Sequence, residues 1–301
     1  MTENSALDDI ELPEEGDDPA SPLRVALGFF ILPMLLVVGA VGVFLLFGLI
    51  AHEDKSVDEY LAEVTGGGIN EPWQGAFGLA NKLVRDESLQ GDPAVARRIA
   101  DTLQHPNAAD PQVRTFLLLA LGRVAHEDSV ATLVAYLDDP NGDVRLKALW
   151  SIGNIGTPAA TSSTLLVAER LKDEDESVRG YSAYVLGTLE DARAVEPLQI
   201  ALNDPTGQVR WNSAVALARL GSDAGMEELK RMIDRDYLAA SGELDAQQQQ
   251  DALVAAIQSF TMLRALDVQD ELSDLRDNDP DPRVRATARA ALISIYQPAL
   301  P

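Results

Sequence analysis

Residue types able to do chemistry are sparse in this sequence. Histidines number three, at His52, His105 and His126, and they share no ligand spacing. Cysteine is absent, which removes disulfides, thiolate nucleophiles and zinc–thiolate sites together. Asp139-Pro-Asn141-Gly-Asp143 sets oxygen-bearing residues at positions 1, 3 and 5, as a calcium loop does. Its position 6 is Val144 rather than glycine and its position 12 is Trp150 rather than glutamate, so it reads as a helix-capping turn. Neither a Gly-rich phosphate loop nor a Gly-x-Ser-x-Gly elbow occurs. With no catalytic constellation and no metal or cofactor called for, the chemistry left is recognition.

The same Asp139–Gly153 stretch is one copy of a unit that recurs from about Trp73 to the C-terminus. Other copies carry Val113-Arg114, Val178-Arg179, Val209-Arg210 and Val284-Arg285, each behind an aspartate. The valines step by 31, 34 and 31 residues, from 113 to 144, 178 and 209. A fixed period of this size marks a solenoid. In the clearest copy Val144, Ala148, Leu149 and Ile152 form one apolar helical stripe. An aspartate with proline precedes it as a start signal, and Gly122, Gly153 and Gly187 are expected to close three copies as left-handed caps. A second amphipathic stretch follows each time, at Val130–Leu137, Thr161–Leu171, Val195–Leu202 and Met226–Ile233. Two such short helices per unit gain stability by stacking on their neighbours.

These residues resemble the HEAT-like repeats of the phycobilisome-lyase type, Asp-Pro-x-x-x-Val-Arg-x-x-Ala-x-x-Ala-Leu-Gly, over roughly residues 71–297. The resemblance implies that the Val-Arg helices line the concave side. It also implies that Arg114, Arg145, Arg179, Arg210 and Arg285 join aspartates in a structural ladder between repeats. Deoxyhypusine hydroxylase, an enzyme of this repeat class, holds iron with several His-Glu pairs. Here the only such pairs are His52-Glu53 and His126-Glu127, so that chemistry is not expected.

The fold expected is all-α: a single transmembrane helix followed by an α-solenoid of about six helical hairpins. Residues 1–22 hold eight acidic residues and no lysine or arginine, an acidic disordered tail. Within residues 23–51, Val25–Ala51 is a run of 27 uncharged positions. At full helical rise it reaches roughly 40 Å, more than the roughly 30 Å bilayer core. It is therefore expected to be a single-pass anchor in the plasma (inner) membrane, kinked at Pro33. Arg24 lies nearer the run than Lys55, which tips the N-terminus to the cytoplasm and the solenoid outside. Residues 52–70 follow as a juxtamembrane helix at Ser56–Val64 and a pivoting hinge at Thr65–Gly68. Residues 71–301 form the solenoid, with a break at Tyr237–Leu244 and a lone terminal helix at Arg283–Tyr296.

A formal charge of −24 disfavours nucleic acid and anionic lipid headgroups. Counting each Val-Arg helix from its valine as zero, positions 2 and 6 point away from the core stripe. Trp211 takes position 2, and Trp150 and Tyr184 take position 6. Phe116 and Tyr181 flank them, with Lys147 and Asn212 nearby. Aromatics make up only 5% of the chain, so this gathering reads as a partner-binding face. The function expected is a membrane-anchored scaffold or assembly factor holding a protein partner. The alternatives are a bilin-lyase-like protein stacking a flat tetrapyrrole on Trp150, Tyr184 and Trp211, and a structural subunit of a membrane complex.

Overall fold

The computed structural model describes residues 31–50, 55–66, 68 and 71–296. It falls into two units, Met1–Lys55 and Ser56–Pro301, considered separately here.

The first unit contributes helix α1 (Leu32–Ile50). This helix corrects the expected membrane anchor. It has 19 residues, about 28 Å at 1.5 Å per residue, against the roughly 40 Å of the whole apolar run. Pro33 is the second residue of this helix. Among the described residues no helix is long and apolar enough to cross a membrane. The single-pass anchor, the plasma-membrane localisation and the choice of side therefore do not stand. The acidic tail and Arg24 lie outside the described residues.

In the second unit, α2 (Val57–Thr65) opens with a capping box: Ser56 Oγ accepts from the Glu59 amide at 3.2 Å, and the Glu59 carboxylate accepts from the Ser56 amide at 2.7 Å. Its buried Val57, Leu61 and Val64 join the core of the repeats. The Asn107 side-chain amide donates to the carbonyls of Val64 (3.1 Å) and Gly66 (2.7 Å), tying down the end of α2. Helix α2 is thus docked on the repeats, while Gly67 of the expected hinge lies outside the described residues.

Then come α3 (Glu71–Arg85), α4 (Pro93–Thr102), α5 (Pro111–Val124), α6 (Ser129–Ala135), α7 (Gly142–Ile155) and α8 (Thr164–Glu169). They are followed by α9 (Glu176–Leu189), α10 (Val195–Ala201), α11 (Gly207–Arg219) and α12 (Met226–Met232). The last are α13 (Arg235–Ala240), α14 (Ala246–Leu263), α15 (Gln269–Asn278) and α16 (Pro282–Tyr296). Long helices α3, α5, α7, α9, α11, α14 and α16 each pack on the next to form one layer. The shorter α2, α4, α6, α8, α10, α12 and α15 form the other. Among the described residues this makes seven pairs. Arg283–Tyr296, expected as a lone cap, is the second member of the last pair because α2 supplies the first member of the first.

Positions 0, 4 and 8 of the repeats are buried as the stripe demands: Val113, Leu117 and Leu121 in α5, and Val178 and Leu186 in α9. The glycines expected to end these helices do something else. Gly122, Gly153 and Gly187 lie inside α5, α7 and α9. A Cβ on Gly122 would sit 2.7 Å from Ser151 Cα, and one on Gly187 would sit 2.9 Å from Ala216 Cα. Gly122 and Gly187 let neighbouring long helices touch backbone to backbone, while Gly153 faces the Val185 side chain. The left-handed caps are Ala125 (φ 54°) after α5 and Glu190 (φ 52°) after α9.

Candidate functional site: a cation and aromatic face

Between repeats runs a ladder of arginines, each one residue after its valine. The Nη1 of Arg145, Arg179, Arg210 and Arg285 donates to the carbonyls of Asp139 (2.9 Å), Asp173 (3.0 Å), Asp204 (2.8 Å) and Asp279 (2.7 Å). The other edge of the guanidinium grips a carboxylate of the next repeat. Arg145 holds Asp173 at 2.9 and 2.6 Å, and Arg179 holds Asp204 at 2.8 and 3.1 Å, both bidentate. Arg114 pairs with Asp139 at 3.0 Å. At Arg210 the pattern changes to Glu228 and the Tyr237 hydroxyl, both at 3.3 Å, and Arg235 of α13 restarts it on Asp279 at 2.7 and 2.8 Å.

Each ladder aspartate also accepts from the amide two residues on: Asn141, Asp175, Thr206 and Asp281. Asn141, rather than Asp139, caps α7 by accepting from the Val144 amide at 3.2 Å. The calcium-like spacing is therefore one ladder aspartate followed by one cap. The side chain of Thr206 makes no cap for α11; Glu243 accepts there from the Gly207 and Gln208 amides, both at 2.9 Å.

The face of the long-helix layer is built from positions 3, 6 and 10, which fall at about 300°, 240° and 280° around a helix of roughly 100° per residue. Trp150 and Tyr184 take position 6, and Phe116, Lys147, Tyr181 and Asn212 take position 3. Arg123 stands over the Trp150 ring with its guanidinium carbon 4.7 Å from the centroid, and Arg219 stands 5.6 Å over Tyr184. Tyr181 and Tyr184 approach at 5.4 Å between centroids. Burial, reinforced by Tyr184, pushes the Tyr181 phenol up to about 12. Tyr184 is 42% exposed, while Phe116, Lys147, Trp150 and Tyr181 are half-buried. Phe116 and Lys147 share the wall of a groove of about 580 Å³.

Two candidates do not belong to this face as open contacts. Trp211 is 3% exposed and packs in the core, its ring 6.4 Å from that of Tyr237. Position 2, at about 200°, is turned toward the following repeat, and there the inserted α13 covers it. Asn212 donates its amide to the Gly180 carbonyl at 2.9 Å and so braces α11 on α9. Four further residues complete the face: Arg123, Arg219, Trp73 and Phe77. Arg123 and Arg219 stand ten residues after their valines, a shared position that the repeat register could have shown. Trp73 and Phe77 are spaced i, i+4 on α3, with Phe77 5.2 Å from Phe116.

The described histidines serve turns. His105 Nδ1 accepts from the Asn107 amide at 3.3 Å, and His126 Nδ1 from the Asp128 amide at 3.1 Å. Among the described residues no cluster of histidine and carboxylate is placed to hold a metal ion. His52-Glu53 lies outside them.

Comparison with known proteins follows the same lines. A model of HEAT repeats matches residues 99–163 and 163–240. An uncharacterized phycocyanin operon protein Z of Pseudanabaena tenuis is 28% identical over 200 residues, 63% of this chain and 90% of that one. A deoxyhypusine hydroxylase of Neurospora crassa is 32% identical over 100 residues, 31% of each chain. The complex of CpcE and CpcF of phycocyanin lyase from Nostoc shares the fold at 15% identity. Its TM-score is 0.53, over 82% of this chain and 90% of that one. Residues 99–240 thus match HEAT repeats, and the fold of the two-layer unit is similar to that of the phycocyanin lyase complex.

Proposed function

We propose that this protein is a binding scaffold that holds a protein partner on the long-helix face through Phe116, Lys147, Trp150, Tyr181 and Tyr184. Arg123 and Arg219 complete the surface. The observation that carries the reading is the pair of cation–aromatic contacts, Arg123 on Trp150 and Arg219 on Tyr184. Among the described residues neither these arginines nor Lys147 has a carboxylate within ion-pairing distance. In a chain of formal charge −24, three unpaired cations gathered on one aromatic face suit a partner segment that is acidic and aromatic or apolar. The reading is of a binding protein rather than a catalyst, and it needs no cofactor.

The test is co-purification with the intact chain beside a Trp150→Ala, Tyr184→Ala variant and a separate Arg123→Ala, Arg219→Ala variant. Specific companions that both variants lose support the reading. Companions that stay with both variants sink it.

A second reading takes support from the likeness to phycocyanin lyase and the phycocyanin operon protein. A flat tetrapyrrole with acidic side chains could stack on Trp150 and Tyr184 and pair with Arg123 and Arg219. Visible absorbance retained by the purified protein and lost in the Trp150→Ala, Tyr184→Ala variant would favour it over the protein partner.

A further inference from the structure

Arg123 lies over the Trp150 ring, and it also lines a slot of about 120 Å³ between α3 and α5. Phe77, Val84, Phe116 and Leu119 give the slot its apolar lining, and Asn81 is its second polar side chain. Phe77 is 45% and Val84 53% exposed, so the slot is open to an incoming group. Among the described residues no acidic side chain lines it, and neither Arg123 nor Asn81 makes a side-chain hydrogen bond or ion pair. We propose that this slot takes the C-terminal residue of a protein partner. The apolar side chain of that residue packs on Phe77, Val84 and Leu119, and its terminal carboxylate meets Arg123 and Asn81. The inference rests on the long-helix face being a protein-binding surface and names the part of the partner that is held.

Three observations select a chain terminus. The first is size. An apolar cavity of about 150 Å³ holds benzene. The 120 Å³ here therefore admits one side chain the size of leucine or phenylalanine, and neither a helix face nor a tetrapyrrole. The second is the state of Arg123. Stacking on Trp150 occupies the face of the guanidinium and fixes its plane, while the N–H donors along its edge stay available. A carboxylate then binds that edge with little further ordering. The third is closeness, because cation, amide and apolar side chains all line one small space. Along an extended segment, neighbouring side chains point to opposite sides, and the next on the same side is about 7 Å away. A terminal residue carries its side chain and its carboxylate on a single Cα, so it alone brings both into the slot together. The residues before it can leave over Phe116, which also lines the groove of about 580 Å³ beside Lys147.

The experiment titrates the full chain calorimetrically with acetylated hexapeptides that differ only in their last residue, phenylalanine, leucine or serine. Each is used with a free and with an amidated C-terminus. The free acids ending in phenylalanine or leucine are expected to bind. Amidation, or serine at the end, should weaken binding by roughly tenfold or more. Arg123→Gln should abolish the difference between acid and amide. Val84→Glu, an exposed change that puts a carboxylate into the slot and leaves Trp150 alone, should weaken the acids more than the amides. Circular dichroism checks that both variants fold, and either one suffices for the test. Equal binding of acid and amide by the unaltered chain, equal binding of all three end residues, or no binding of any free acid would overturn the inference. Companions lost by the Trp150→Ala, Tyr184→Ala variant, while acid and amide peptides bind alike, would sink this inference and spare the wider reading.

Discussion

Arg123 and Trp150 belong to consecutive repeats, yet the guanidinium carbon of one lies 4.7 Å from the ring centre of the other. The contact crosses the seam between α5 and α7 on the side away from the core. Trp211, two long helices on, is by contrast 3% exposed inside the core. The two tryptophans therefore separate binding from stability. Trp211→Ala is expected to cost about 3–5 kcal/mol of unfolding free energy, and Trp150→Ala about 1 kcal/mol. Urea denaturation of the two variants checks this, and comparable losses would put Trp150 in the core after all.

The ladder pairs are buried enough that breaking one leaves a charge in a poor solvent. The Arg145 and Asp173 side chains are 7% and 5% exposed. Arg145→Ala, which strands Asp173, is expected to destabilise by about 3–5 kcal/mol. The double replacement Arg145→Met, Asp173→Leu should lose markedly less, because no charge is then left alone. Chemical denaturation of the two variants decides between this and a purely additive outcome.

Gly122→Ala should reverse the usual sign of a helical glycine replacement. In an open helix the change gains roughly 1 kcal/mol. Here the new methyl would meet Ser151 Cα at 2.7 Å, and forcing α5 and α7 apart should cost about 1–3 kcal/mol. Gly153→Ala is the control, since its nearest neighbour is a side-chain atom, Val185 Cγ2, at 3.1 Å. A higher melting temperature for Gly122→Ala would show that the two helices are not held at this distance.

Acid should loosen the ladder. Burial raises the pKa of Asp204, but the hydrogen bonds from Arg179 and the Thr206 amide outweigh it and hold the carboxyl below its ordinary range. Asp279 is held down in the same way against its own burial, by Arg235 and the Asp281 amide. A carboxyl depressed in the fold binds fewer protons there than in the unfolded chain. Its contribution is complete above the ordinary aspartate value of about 3.9 and fades as the pH falls from there through the folded value. The urea midpoint should accordingly gain no slope from these groups between pH 7 and 5 and fall below about pH 4. Arg179→Met should flatten that fall, and an unchanged slope would argue against the pairing.

Much of this architecture can be read from the sequence. The repeats expected from about Trp73 include the helix Glu71–Arg85, and the valine register marks the buried stripe of the long helices that carry it. Several details were hidden because one residue type has two uses. Glycine at the end of an apolar stripe reads as a stop signal, but at Gly122 the same absent side chain serves a close helix contact. Asp139-Pro140 reads as a cap, but the cap is Asn141 and the aspartate reaches back to Arg114. Trp211 reads as outward because helical angle alone cannot foresee that α13 folds over position 2. Ser56–Val64 is amphipathic, but nothing local shows that its apolar side is covered by α3. The apolar run before it promised a membrane span, which no helix among the described residues is long and apolar enough to make.

Helix α13 has a mechanical consequence. It carries Arg235 to Asp279, 44 residues away, while Arg210 settles on Glu228 and Tyr237 instead of an aspartate turn. The buried side chains divide at the same place into one cluster that runs to Leu217 and another that begins at Trp211. Stretched between its two ends, the repeat array should therefore part first at this joint. The segment before it and the segment after it would then give way as two separate force peaks rather than one.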